Sequence, residues 1–147
     1  MGNQIKIDQQ GASYYVDIVF CIDATGSMQP IINQVKENAK KMPEIISKEA
    51  ESKGKKIKQL RMKVLEYRDL VEDPPEKQMI EYPFTDDPNK FYSYVDGIIA
   101  DGGGDDPEST LDAILKVCES DWYQGQGKKR KIIIVMTDAA PREIHPS

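Results

Sequence analysis

Residues 14–22 read YYVDIVFCI, and Asp23-Ala24-Thr25-Gly26-Ser27 follows at once. The first stretch is a nearly unbroken β-branched and aromatic run. That composition suits a strand covered on both faces, as parallel sheets require. The second stretch is a polar turn. After it, Ile31, Ile32, Val35, Ala39, Met42, Ile45, Ile46 and Ala50 recur at helical spacing over residues 28–52. They form an apolar stripe on an amphipathic helix. Pro30 suits its first turn, and Pro43 is expected to kink or break it. Buried strand, polar turn and helix in that order are the opening unit of a parallel α/β sheet.

The rest of the chain repeats the alternation. Residues 60–67, LRMKVLEY, read as a strand, and charged residues 68–77 with Pro74-Pro75 read as a loop. Residues 78–84 read as a short strand, which Pro83 assigns to a sheet edge. Asp87 before Pro88 marks a helix start, with Phe91, Tyr94, Val95 and Ile98 inward. Gly102-Gly103-Gly104-Asp105-Asp106 reads as a tight turn. Pro107 then opens a helix expected to bury Leu111, Ile114, Leu115 and Cys118. Residues 122–127 form a loop in which Trp122 and Tyr123 serve as anchors. Residues 131–137, KIIIVMT, read as a second fully buried strand ending at Asp138. The pattern predicts an α/β domain over residues 14–147, with a mostly parallel central sheet flanked by helices and residues 1–13 as an N-terminal extension.

Composition limits what such a domain does. The 147 residues carry a formal net charge of −5, with 31% charged and 39% hydrophobic residues. An acidic domain is poorly suited to nucleic acid, which is bound by displacing counterions with a basic surface. Two basic clusters, Lys53, Lys55, Lys56 and Lys58, and Lys128, Lys129, Arg130 and Lys131, read as solvated connections before strands. No apolar run approaches the ~20 residues that cross a bilayer. Residues 1–12 lack the apolar centre of a signal peptide. A cytoplasmic protein without a membrane partner is expected. Cys21 and Cys118 make no disulfide framework and are read as small buried hydrophobes with free thiols.

Three polar loops could carry chemistry. Asp23-Ala24-Thr25-Gly26-Ser27 follows one buried strand, Thr137-Asp138 ends another, and Gly104-Asp105 precedes a helix. Parallel neighbours would bring Asp23, Thr25, Ser27 and Asp138 together at the carboxyl ends of the strands, where such sheets bind ligands. Every donor is a carboxylate or hydroxyl oxygen, which suits Mg²⁺, Mn²⁺ or Ca²⁺ rather than Zn²⁺. Against this stands a simpler use. Ser27 could cap the following helix, and Asp106 the helix at Pro107. Tyr67, Arg68 and Asp69 end a strand on the same rim and are candidates for shaping it. His145, the lone histidine, lies in the tail and is read as inert.

Asp23-Ala24-Thr25-Gly26-Ser27 resembles the Asp-x-Ser/Thr-x-Ser signature of von Willebrand factor A domains. Residues 102–108, GGGDDPE, resemble the Gly-Gly-Gly-Asp-x-Pro-Glu loop of prokaryotic-type members, and residues 132–138, IIIVMTD, are similar to the strand ending in the family's last aspartate. The resemblance covers about residues 16–141. It implies a Rossmann-like fold and a metal-ion-dependent adhesion site. In that site Thr25 and Ser27 would hold Mg²⁺, or Mn²⁺ or Ca²⁺, through their hydroxyls. Asp23 and Asp138 would act directly or through water. Asp105 would stand where a threonine is more familiar, adding negative charge and leaving less net positive charge to attract a partner's carboxylate.

The function implied is metal-dependent protein–protein interaction without catalysis, the partner supplying an Asp or Glu side chain. A purely structural metal is one alternative. Phosphoryl transfer of the haloacid-dehalogenase type is another, weakened because Thr25 replaces the second aspartate that chemistry needs. Family members usually continue past the last aspartate, so the fold is expected to be truncated after the strand ending near Thr137. An apolar strand exposed at a sheet edge recruits another strand. The chain is therefore predicted to self-associate, and a concentration-independent monomer mass in light scattering would refute this.

Overall fold

The computed structural model describes residues 13–68, 78–102 and 107–138. It places four strands in one sheet, in the order β3-β2-β1-β4. Strand β1 (Ser13–Asp23) lies between β2 (Lys56–Tyr67) and β4 (Lys128–Met136) and runs parallel to both. Strand β3 (Met79–Thr85) pairs antiparallel with β2 at one edge, where Pro83 requires no ladder partner on its far side. Helix α1 (Ile32–Ser52) connects β1 to β2, and α2 (Pro88–Asp96) and α3 (Pro107–Cys118) precede β4. The expected α/β architecture is therefore present.

Alternation along β1 sorts the core into two layers. Ile18, Phe20 and Ile22 face α1 and α2, packing with Met28, Ile32, Val64, Phe91 and Val95. Val19 and Cys21 face α3, packing with Leu65, Tyr67, Ala113, Val117 and Trp122. Covered on both faces, β1 is buried from Val16 to Asp23. Asp17 is the one acid inside it short of the carboxyl end. Its carboxylate is satisfied by a bidentate pair with Arg61 (2.8 and 2.7 Å) and by the Tyr123 backbone N–H (2.6 Å). Such a fork is the geometry that makes a buried carboxylate tolerable. Trp122 is buried, and Tyr123 stacks on Tyr15 at 4.1 Å, so both anchor their loop as expected.

Four expectations need correction. Helix α1 runs unbroken through Pro43, whose ring is buried. That burial counters part of the cost of a proline inside a helix, about 3 kcal/mol from the missing hydrogen bond and the clash of the ring with the preceding turn. Ile31 and Ile45 of its expected stripe are exposed, while Ala39 and Ile32 are buried. In α3 the inward face is Ser109, Ala113 and Val117, whereas Leu111 and Leu115 are each 58% exposed and Cys118 is exposed. Bulky Tyr67 and Trp122 already fill the sheet surface there, so only a stripe of small residues lets the helix approach. Finally, β4 is not fully buried as its composition suggested; it takes the edge position that was also expected for it. It begins at Lys128, so the second basic cluster lies within the strand rather than before it. Its first four residues and Ile133 are exposed, and among the described residues it pairs with β1 alone. The glycine turn at Asp105, the loop at residues 69–77 and the tail with His145 lie outside the described residues. Among the described residues no helix is long and apolar enough to cross a membrane.

The two thiols sit in opposite settings. Burial, and secondarily the charge of Asp23, push the Cys21 thiol up to about 12. Only thiolate attacks electrophiles. A thiol reagent at neutral pH should therefore label Cys118 alone in the folded protein and Cys21 only after unfolding. Rapid labelling of both in native buffer would refute the buried position of Cys21.

Candidate metal centre

The carboxyl end of β1 delivers Asp23 to the switch point between β2 and β4, with only 3% of its surface exposed. Its Oδ1 accepts the backbone N–H of Thr25 (2.9 Å) and the Thr25 hydroxyl (2.6 Å). Its Oδ2 accepts the Thr137 hydroxyl from the end of β4 (2.7 Å). The Thr25 and Ser27 hydroxyl oxygens lie 3.1 Å apart. Since the Thr25 hydroxyl donates to Asp23, Ser27 is the donor in that contact, and Thr25 Oγ1 keeps one further lone pair. Among the described residues no lysine or arginine pairs with Asp23, whose partners are neutral amide and hydroxyl donors.

Ser27 lies in a short 3-10 turn, Gly26–Met28, rather than at a helix start. The residue before α1 is Ile31, and neither the turn nor α1 receives a side-chain cap. The capping alternative for Ser27 is thus not realised. Ser27 is exposed while Thr25 is buried, so the donor set opens outward from Asp23 to solvent. Gly26 is needed here for close approach: a Cβ would meet the Gly102 carbonyl oxygen at 2.9 Å. Residues 98–102 are thereby pressed against the turn, and Asp101 N–H donates to the Ala24 carbonyl (3.1 Å) while Gln29 Nε2 donates to the Ala100 carbonyl (3.1 Å).

Of the five candidates, Asp23, Thr25 and Ser27 stand together. Asp138 is exposed and directly follows Thr137, whose hydroxyl bonds to Asp23. Asp105 lies outside the described residues. Among the described residues no three His, Cys, Asp or Glu side chains converge as a metal cluster. The donors here are chiefly hydroxyls, which a carboxylate count does not capture. The arrangement fits a hard divalent cation: clustered hydroxyl lone pairs stand beside a buried carboxylate that has no cationic partner among the described residues.

Two supports escape a reading by motif. Arg68, 5% exposed, donates to Asp101 Oδ1 (3.1 Å), Glu66 Oε2 (3.2 Å) and the Ile99 carbonyl (2.6 Å). Tyr82 donates its hydroxyl to Glu66 Oε1 (2.8 Å). This network ties β2 and β3 to the segment that leads into the glycine turn. Tyr67 Oη lies 2.8 Å from Thr110 Oγ1, linking α3 to the floor of the site. Burial first, and the nearby Asp23 charge after it, raise the Tyr67 phenol above its ordinary range, so it stays neutral. The sequence marks Tyr67 and Arg68 only as strand-end residues on the rim. Their partners, Glu66, Tyr82, Asp101 and Thr110, are distant or unremarkable in the sequence.

The sequence matches the von Willebrand factor A domain family over residues 17–146, nearly its whole length. The chain belongs to that family, whose members are generally protein-interaction modules. It is also similar to the alpha-protein kinase vwkA of Dictyostelium discoideum, with 26% identity over 132 residues. That match covers 87% of this chain but only 19% of the kinase.

Replacing Arg68 with Met would strand the Glu66 carboxylate in the interior. Breaking a buried ion pair from one side costs about 3–5 kcal/mol. Urea unfolding of Arg68→Met should show a loss of that size, and an unchanged midpoint would mean the network does not hold the rim.

Proposed function

We propose that this domain binds a partner protein through a divalent cation held at the carboxyl end of its sheet. The observation that carries the reading is the buried Asp23 carboxylate, bonded to neutral donors and adjoining two hydroxyls 3.1 Å apart. Thr25 and Ser27 would hold the ion through their hydroxyl oxygens. Asp23 orients the Thr25 hydroxyl and supplies compensating charge, and Asp138 adds a carboxylate at the open side. Asp105 would contribute a further carboxylate from the glycine turn. Mg²⁺ suits this set, since it takes few protein oxygens and keeps waters; Mn²⁺ and Ca²⁺ are the other candidates. The cation would supply a Lewis-acidic position that a partner's Asp or Glu side chain can fill, and such charge-assisted contacts give specificity. The reading assigns binding rather than catalysis to this domain.

Thermal unfolding of metal-free protein titrated with each cation tests this. At about 100 times its dissociation constant a ligand stabilises the fold by about 2.7 kcal/mol. The parent should show a saturable rise in unfolding temperature. Asp23→Ala should show none. Ser27→Ala, which removes the hydroxyl at the open side of the donor set, should still fold cooperatively without metal and lose most of the rise. No saturable rise in the parent with any of the three ions would overturn the reading.

A further inference from the structure

At the end of the sheet opposite Asp23, the fold gathers two basic clusters that are about 70 residues apart in sequence. The register pairs Ser13 with Lys56 on one side of β1, and Tyr14 with Lys128 on the other. Residues 53–58 and 128–131 therefore flank the first residues of the central strand. Lys55, Lys128 and Arg130 stand over one ring, that of Tyr14, at 5.7, 5.6 and 4.9 Å from its centre. Lys58 lies over Tyr15, and Lys131 over Trp122. Among the described residues only Lys53 of these clusters enters an ion pair, with Glu49. Asp17, the β1 residue paired with Lys131, is committed to Arg61. Eight cations thus collect at one pole of a chain whose net charge is −5. Like charges held this close repel, and a bound polyanion relieves that repulsion.

We infer that this basic pole is a second interaction surface, and that it takes an acidic, extended segment of a partner protein. Three observations select that ligand among polyanions. Among the described residues, the Tyr14 ring stands under cations and the Tyr15 ring is stacked on Tyr123 with Lys58 over it, which disfavours stacking of nucleic-acid bases on them. Tyr14 and Tyr15 point to opposite faces of the sheet, so the cations over them wrap around its end rather than lie in one plane. A flat anionic membrane would engage only part of such a surface, whereas a flexible chain of carboxylates can follow it. The chain also belongs to a family of protein-interaction modules. This inference is independent of the metal reading, since it concerns the other end of the sheet.

The test is binding of a fluorescent oligoglutamate peptide to the full chain, followed by anisotropy near physiological ionic strength. The parent should bind saturably, and the affinity should fall as salt rises. The double charge reversal K128E/R130E should bind roughly tenfold more weakly or worse. Both side chains are exposed on β4, so the variant should keep the parent's far-ultraviolet circular dichroism, which shows that a loss of binding is not a loss of fold. Binding of the peptide should persist with EDTA present, which separates this surface from the metal centre. Absence of parent binding, or equal binding by K128E/R130E, would overturn the inference. So would tighter binding of an oligothymidylate or of phosphatidylserine vesicles than of the peptide.

Discussion

Strand β1 ends in a carboxylate almost wholly withdrawn from water, and much of the surrounding architecture keeps it there. A buried carboxylate is costly unless its oxygens are bonded. Asp23 meets that demand with donors from two elements, its own turn and the end of β4. The bond from Thr137 requires β4 to be the parallel neighbour of β1, ending level with it. The bonds from Thr25 require the chain to turn sharply, which Gly26 permits because nothing larger fits against the Gly102 carbonyl. Sheet order, turn shape and the docking of residues 98–102 thus converge on one side chain. The field of that side chain reaches outward in turn, adding to the burial that keeps Cys21 and Tyr67 protonated.

Support for this arrangement comes from charges as well as apolar packing. Arg68 and Glu66 are both buried and pin the segment that precedes the glycine turn. A buried pair of this kind contributes little net stability compared with apolar residues of the same volume. What it fixes is position. Arg68 donates to a side chain and to a main-chain carbonyl of a different element, so that segment cannot slide without stranding a buried cation. On the other face, Tyr67 and Thr110 tie α3 to the same floor.

Much of this was legible in the sequence wherever composition and position spoke together. Residues 14–22 announce a doubly covered strand, and the polar turn after them announces its carboxyl end. Asp23, Thr25 and Ser27 follow from that turn, and the structure brings them together. Periodicity misled where the partner surface set the rules. Leu111 and Leu115 look like the natural inward face of α3, yet the sheet beneath is already filled by Tyr67 and Trp122, so Ala113 and Val117 face it instead. Residues 131–137 have the composition of a buried central strand, yet the strand takes the edge position expected for it and is only half-buried over most of its apolar length. The Arg68 network was invisible for a different reason. Its members are ordinary charged residues whose meaning lies in distances that only the fold supplies. The same holds for the two basic clusters, each of which looks like a solvated connection until β1 brings them side by side.

Tyr14 and Asp23 belong to one strand, and at about 3.3 Å per residue roughly 30 Å separates them. That strand is buried continuously from Val16 to Asp23 and covered on both faces over that length. The domain is therefore a rigid spacer with chemically opposite tips, an oxygen-rich one and a cationic one. Molecules held at the two tips would not compete for room. Each would experience the other at an effective concentration fixed by the length of β1 rather than by any flexible tether. Occupancy of one tip would raise residence at the other only for partners that are themselves joined across that span.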